Sequence, residues 1–166
     1  MENGEVVVTF CIKVGRACLD EGGVLAEPDA SRQALLDNPT FDGILTIHAG
    51  GGLTRVEDEL RAVVQNICFR AVVELLAGRN FVYRYMGYYG YFRMDPEGRE
   101  VVLSGDFVKT ARLPLGATVR ALYECGERFL EALREVGGEE NPFAEEIAYY
   151  REFAESAKAA LKEFSR

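Results

Sequence analysis

Histidine and cysteine are scarce in this chain of 166 residues, and their scarcity restricts the chemistry that it can perform. His48 is the only histidine, so any histidine-based triad, dyad or metal site has to include it. Cys11, Cys18, Cys68 and Cys125 are 7, 50 and 57 positions apart, which matches neither a CxxC redox motif nor a zinc site. We therefore expect no metal, no cofactor and no catalytic residue. We also expect four reduced cysteines, with Cys11 and Cys68 acting as small buried apolar residues.

Basic residues are also in deficit. The chain has 27 Asp and Glu residues against 19 Lys and Arg residues, a formal net charge of -8. This excess repels a phosphate backbone and predicts no nucleic-acid partner. No run reaches the roughly 18 apolar residues of a membrane span, and the acidic N-terminal residues 1–5 do not resemble a secretory signal. The sequence thus predicts no membrane partner and a cytoplasmic location.

Hydrophobic periodicity predicts a single α+β domain over residues 1–166. An antiparallel sheet and helices on one face are expected, since segments with period two alternate with segments of helical spacing. The strands are predicted over 5–14 and 43–48 and in a tyrosine-rich hairpin over 81–108. The helices are predicted as a short one over 30–36, a long central one from a Thr54/Glu57 capping box to Gly78, and a C-terminal hairpin of helices over 114–136 and 141–164.

The tyrosine-rich hairpin is expected to turn at Asp95-Pro96-Glu97-Gly98. If Asp95 lies opposite Arg99, the odd-numbered face is the core face. That face carries Val101, Leu103 and Phe107 on the return strand, and Tyr83, Tyr85, Tyr89 and Tyr91 on the other. The even-numbered face then forms an exposed surface of a composition typical of interfaces. Its members are Arg84, Met86, Tyr88, Phe92 and Met94.

Gly50, Gly51 and Gly52 follow the predicted strand that ends at His48. A glycine-rich turn before a helix can bind phosphate, but the acidic residues 57–59 in the predicted first helical turn oppose an anion. A connecting turn is therefore favoured. With His48, these three glycines also define a candidate pocket for a small molecule.

The last predicted helix has an apolar seam with spacings of four and three. The seam packs either on the preceding helix or on a neighbouring subunit, which would give a homodimer. It consists of Phe143, Ile147, Tyr150, Ala154, Ala157, Leu161 and Phe164.

About half of the chain resembles small uncharacterised bacterial α+β proteins, some of which are immunity proteins of polymorphic toxin systems. The resemblance is carried by Val64-Gln65-Asn66-Ile67-Cys68, Tyr88-Tyr89-Gly90-Tyr91, the segment from Asp95-Pro96-Glu97-Gly98 to Ser104-Gly105-Asp106, and 121–130. It implies a protein that occludes a toxin, and an acidic immunity protein suits a basic toxin by charge complementarity.

The sequence therefore predicts a non-enzymatic protein-binding module, with an immunity-type protein as its particular form. The alternative is a small-molecule-binding domain or enzyme. Its pocket would lie near His48 and the tyrosine-rich strand.

Overall fold

Eight strands form two antiparallel sheets in the computed structural model, which describes residues 4–166. Sheet A has the order β2-β1-β3-β4 and sheet B has the order β5-β6-β7-β8. The strands are β1 (Val6–Val14), β2 (Ala17–Asp20), β3 (Asp42–Ala49), β4 (Gly52–Glu59), β5 (Phe81–Arg84), β6 (Tyr91–Glu97), β7 (Glu100–Gly105) and β8 (Ala111–Pro114).

Along the chain, two helices precede β3, three consecutive helical segments connect β4 to β5, and two helices follow β8. They are α1 (Glu21–Ala26), α2 (Pro28–Asp37), α3 (Leu60–Val63), a π-helix (Val64–Arg70), α4 (Ala71–Leu76), α5 (Leu115–Gly137) and α6 (Ala144–Phe164). The segments from α3 through the π-helix to α4 are consecutive. The predicted α+β class and the C-terminal helical hairpin are confirmed, but the strands form two antiparallel sheets where one was expected.

The core is one continuous cluster between the inner faces of the sheets and the helices. Val8, Phe10 and Ile12 alternate along β1 and are buried, as period two requires. Phe10 meets Phe129 of α5 edge to face, with ring centroids 5.4 Å apart. Helix α5 also contacts β7 and β8, so it connects both sheets to the same core.

The apolar seam of α6 packs within its own chain. Helix α6 contacts α4, α5 and the π-helix, and Tyr150, Ala154 and Ala157 are buried there. At the start of α6, Glu146 forms a 2.7 Å ion pair with Arg61. The packing favours the first of the two alternatives for the centre of the seam, which is covered by helices of the same chain, and a homodimer through this helix stays a prediction.

Residues 52–59, expected to begin the long central helix, form strand β4 instead. Gly50 and Gly51 have φ values of 56° and 80° and make a two-residue turn between β3 and β4. Thr54 is buried whereas Glu57 is exposed, so the two side chains do not form a capping box. The two glycines tolerate the left-handed backbone of a tight hairpin, which returns the chain as a strand.

The register of the β6–β7 hairpin also differs from the expectation. Asp95 pairs with Val102 rather than Arg99, because the turn lies at Gly98-Arg99. The shift is three residues, and an odd shift exchanges the two faces of a strand. Phe92 and Met94 are consequently fully buried, so their assignment to an exposed binding surface is wrong.

Three residues that were expected in the core are exposed, Tyr91 because of the same shift and the other two because they lie in the loops after β5 and β7. Tyr89, Tyr91 and Phe107 are exposed, whereas Tyr83 and Tyr85 are buried as expected.

The expectation of four reduced cysteines is wrong. Cys11 and Cys18 form a disulfide across the β1–β2 hairpin, with Cα atoms 5.5 Å apart. Cys11 is half-buried and Cys18 is exposed. The four-residue strand β2 was not predicted, and only its pairing with β1 brings the two thiols together. Cys68 and Cys125 are free and buried.

Candidate functional site

An exposed group of aromatic side chains lies at one end of sheet B. Its members, named the aromatic patch, are Tyr85, Met86, Tyr88, Tyr89 and Phe107. Tyr89 is 100% exposed, Phe107 76%, Met86 62% and Tyr88 40%. Tyr85 is buried beneath them and stacks on Tyr88 with ring centroids 4.5 Å apart, and Phe107 meets Tyr88 edge to face at 5.4 Å. Three of its rings therefore pack against one another, and Met86 and Tyr89 project beside them into solvent.

The buried carboxylate of Asp58 holds the loop 85–90, which carries every member of the patch except Phe107. The Tyr83 hydroxyl donates a hydrogen bond of 2.7 Å to Oδ2, and the backbone N–H of Met86 donates one of 2.6 Å to the same oxygen. The N–H of Gly87 donates to Oδ1 at 3.0 Å. Since a buried charge is stable only when hydrogen-bonded, these donors fix the loop against the end of β4.

Two further contacts close the loop. The Tyr88 hydroxyl donates to the backbone carbonyl of Glu57. The backbone N–H of Tyr91 donates to Asp106 Oδ2 at 3.0 Å. A loop held at both ends loses little conformational entropy when it binds, so its backbone is preorganised.

The phenols near Asp58 are held in the protonated form. Burial, and then the hydrogen bond to Asp58, raise the pKa of Tyr83 far above its usual value. Burial, followed by the neighbouring Tyr85, Asp58 and Glu57, raises the pKa of Tyr88 to about 12. Both hydroxyls therefore act as neutral hydrogen-bond donors near neutral pH.

A groove of about 570 Å³ extends from the aromatic patch between β4 and the segment 107–113. Phe107 belongs to both the patch and the groove, and its backbone has a φ of 67°, unusual for a bulky residue. The other lining residues are Ile47, Ala49, Gly52, Leu53, Thr54, Arg55, Val108, Lys109, Thr110, Ala111 and Leu113.

Three residues of the predicted binding surface are exposed in the structure, and the other two are buried. Arg84, Met86 and Tyr88 are exposed as expected, and Met86 and Tyr88 belong to the aromatic patch. Phe92 and Met94 belong to the core. The surface is thus a loop-borne cluster and not the face of a strand.

The candidate pocket at His48 is not assembled. His48 lies on the outer face of sheet A, where its Nε2 is 3.4 Å from Thr9 Oγ1. Gly50 and Gly51 form the hairpin turn, and of the three glycines only Gly52 lines the groove. His48 pairs with Leu53, five residues along β4 from Asp58, which corresponds to about 17 Å of strand. The structure does not bring His48 and the tyrosine-rich loop together.

Two residues of the site were missed or misplaced by sequence reasoning. Asp58 was interpreted as a helix-start carboxylate, and its donors lie 25 to 29 positions later in the chain. Phe107 was assigned to the core. The preceding Ser104-Gly105-Asp106 is turn-forming in composition and could have indicated that β7 ends before Phe107.

Comparison of the chain with protein-family models, curated proteins and solved structures finds no match. Across residues 4–166 no helix combines the length and apolar character needed to cross a membrane. The same residues contain no group of three or more His, Cys, Asp or Glu side chains placed to hold a metal ion.

Proposed function

We propose that this chain is a non-enzymatic protein-binding module and that the aromatic patch is its contact surface. The observation that carries the proposal is the exposure of Met86 and Tyr89 on a loop fixed by the buried Asp58, with the exposed Phe107 of the loop after β7 beside them. Exposed aromatic and methionine side chains on a fixed backbone are typical of the central residues of interfaces. Scattered apolar residues need no such explanation, but a contiguous group does.

The polar groups around the patch favour binding over catalysis. Asp58 accepts three hydrogen bonds, and Tyr83 and Tyr88 each donate to a group of the chain itself. A general acid or base has to reach the substrate with a free proton or lone pair. These groups instead hold the loop in place, which leaves aromatic and methionine surface for contact.

The immunity-type role is the particular form of this proposal. A basic toxin suits the acidic part of the chain, since residues 124–163 contain eleven acidic and five basic side chains. Most of this stretch lies on α5 and α6, and the aromatic patch lies outside it. Glu57, Asp58 and Asp106 adjoin the patch, so a basic toxin bound there would also meet acidic side chains.

A capture experiment with three forms of the protein tests the binding function. The wild type, the double variant Tyr89→Ser/Phe107→Ser and the control Tyr149→Ser are immobilised and exposed to extract of the source cells. Tyr149 is a suitable control because it is 52% exposed but lies on α6. We expect a protein captured equally by wild type and control, and at least tenfold less by the double variant. Equal capture by all three forms, or no capture, would contradict the proposal.

Co-expression of the captured protein tests the immunity role separately. A captured toxin should stop growth alone, and the wild type should restore growth while Tyr89→Ser/Phe107→Ser should not. A harmless captured protein would refute the immunity role and leave the binding function in place.

A further inference from the structure

Strand β4 is an edge strand of sheet A, and over a short stretch beside the groove its backbone groups have no strand to pair with. In a two-residue hairpin the residues flanking the turn, here Ala49 and Gly52, form a hydrogen-bonded pair. Hydrogen-bonded and non-hydrogen-bonded pairs then alternate, so the backbone groups of Leu53, Arg55 and Glu57 point away from β3. The Tyr88 hydroxyl bonded to the Glu57 carbonyl agrees with this assignment. The open stretch therefore runs from the turn to Arg55, and Tyr88 closes it beyond.

The opposite wall of the groove is less suited to strand pairing. Strand β8 ends at Pro114, which has no N–H to donate, and the Arg112 side chain forms ion pairs with Glu97 and Glu100. The groove is lined on this side by the buried Leu113 and by residues 107–110, of which Phe107, Lys109 and Thr110 are exposed. An incoming chain would pair with β4 and place an apolar side chain towards Leu113 and the buried Ile47.

The charges of the groove are of one sign. Arg55 and Lys109 are the only ionisable side chains that line it, and both are exposed. Neither forms a salt bridge within residues 4–166. A chain with a net charge of -8 thus presents two unpaired cations beside an open strand edge. Charge complementarity favours an acidic occupant there.

We infer that the groove binds an extended acidic peptide segment of the partner by strand addition to β4. In this mode main-chain hydrogen bonds supply affinity, and alternate side chains supply specificity. The segment presents carboxylates to Arg55 and Lys109, while alternate apolar side chains enter the groove. The inference rests on the proposed function, because it assigns the partner's contact beside the aromatic patch.

Fluorescence anisotropy with defined peptides tests the inference. The probe is a fluorescein-labelled seven-residue peptide of alternating glutamate and valine, and its matched control alternates lysine and valine. Two further probes carry N-methyl groups on all valines or on all glutamates of the acidic peptide. We expect the acidic peptide to bind at least tenfold more tightly than the lysine peptide. One N-methylated form should lose binding and the other should retain it, since only alternate amides of an added strand face β4.

Charge-reversal variants locate the binding. Arg55→Glu/Lys109→Glu should weaken the acidic peptide at least tenfold and favour the lysine peptide. Lys158→Glu/Lys162→Glu makes the same change in net charge at exposed positions of α6 and should bind like the wild type. Equal loss in both variants would show attraction by overall charge only and would overturn the inference. Equal binding by both N-methylated probes would overturn strand addition.

The two proposals fail separately. If no probe binds but capture still depends on Tyr89 and Phe107, strand addition is overturned and the protein-binding function stands. If the acidic probe binds as expected but capture fails, the groove binds peptides and the function proposed for the aromatic patch is overturned.

Discussion

Asp58 connects the two sheets through hydrogen bonds from residues far along the chain. It ends the buried alternation Thr54, Val56, Asp58 on β4, and its donors come from β5 and the loop after it. Three donors compensate for the burial of one carboxylate. The same residue thereby determines the position of the aromatic patch.

Asp58→Asn is expected to lower the free energy of unfolding by about 1 to 3 kcal/mol. The substitution keeps the size of the side chain but turns one acceptor oxygen into an NH₂ group, and both oxygens of Asp58 face N–H donors. Urea unfolding measures the loss. Glu59→Gln, a neutralisation at the next residue, is the control and should stay within about 0.5 kcal/mol of the wild type. Equal effects would show that the Asp58 contacts contribute little.

Alkaline pH is expected to destabilise the protein through its buried phenols. The pKa of Tyr83 is raised in the folded state, mainly by burial, whereas a free tyrosine has a pKa of about 10. Below pH 10 the phenol is protonated in both states, so its contribution to stability is fully present. Above about pH 10 the unfolded state loses the proton first, and stability falls as the pH rises.

Tyr83→Phe isolates this effect. Between about pH 9 and pH 11, the stability of the variant in urea should fall less steeply than that of the wild type, so the difference between them narrows. Parallel curves would indicate that Tyr83 does not contribute to the pH dependence.

At the scale of elements, the segments with a clear period were predictable, whereas β2, β4 and the register of the β6–β7 hairpin were not. The segments that became β1, β3 and α5 have clear periods of two or 3.6, and burial follows those periods. The β6–β7 register depended on which residues of Asp95-Pro96-Glu97-Gly98-Arg99 form the turn. Turn chemistry allowed more than one choice, and a displacement of three residues moved Phe92 and Met94 from solvent to core.

The candidate site was predictable only in part for a related reason. Met86 and Tyr88 are conspicuous in a tyrosine-rich segment, so the sequence indicates them. Asp58 became part of the site only through contacts between β4 and the loop after β5, and the Glu57-Asp58-Glu59 triplet equally matches the start of a helix. The residues next to Asp58 in the sequence do not indicate which N–H groups, 28 and 29 positions later, will donate hydrogen bonds to it.

Helix α5 approaches the π-helix closely at Gly126. A Cβ atom added there would lie 2.6 Å from the ring of Phe69 and 3.0 Å from the Cβ of Cys68. Phe69 is fully buried and has no free space to move into. The absence of a side chain at Gly126 is thus what permits this helix contact.

Gly126→Ala is expected to destabilise the protein by about 1 to 3 kcal/mol. Overpacking against Phe69 should exceed the gain of about 1 kcal/mol in helix propensity. Gly116→Ala on the same helix is the matched control, because its nearest neighbour is the exposed Phe164 ring at 3.3 Å. Thermal and urea unfolding should show the control to be neutral or slightly stabilised. A stabilised Gly126→Ala would contradict the tight contact.

At the scale of the whole molecule, α6 completes the helical layer. Its ion pair joins Glu146 to Arg61, whose guanidinium carbon lies 4.3 Å from the centre of the Phe41 ring. Burial raises the pKa of Glu146, although Arg61 opposes this rise. Helix α6 buries the middle of its own apolar seam, whereas the aromatic patch stays exposed.

Ala157→Glu distinguishes a core role of the seam from an interface role. Ala157 is fully buried against its own chain, so an unpaired carboxylate there should lower the free energy of unfolding by about 3 to 5 kcal/mol. Ala159→Glu, at an exposed position of the same helix, should change it by about 0.5 kcal/mol or less. Light scattering should give the mass of one 18.5 kDa chain for the wild type and for both variants. A wild-type dimer that Ala157→Glu dissociates into folded monomers would show instead that the seam joins two copies.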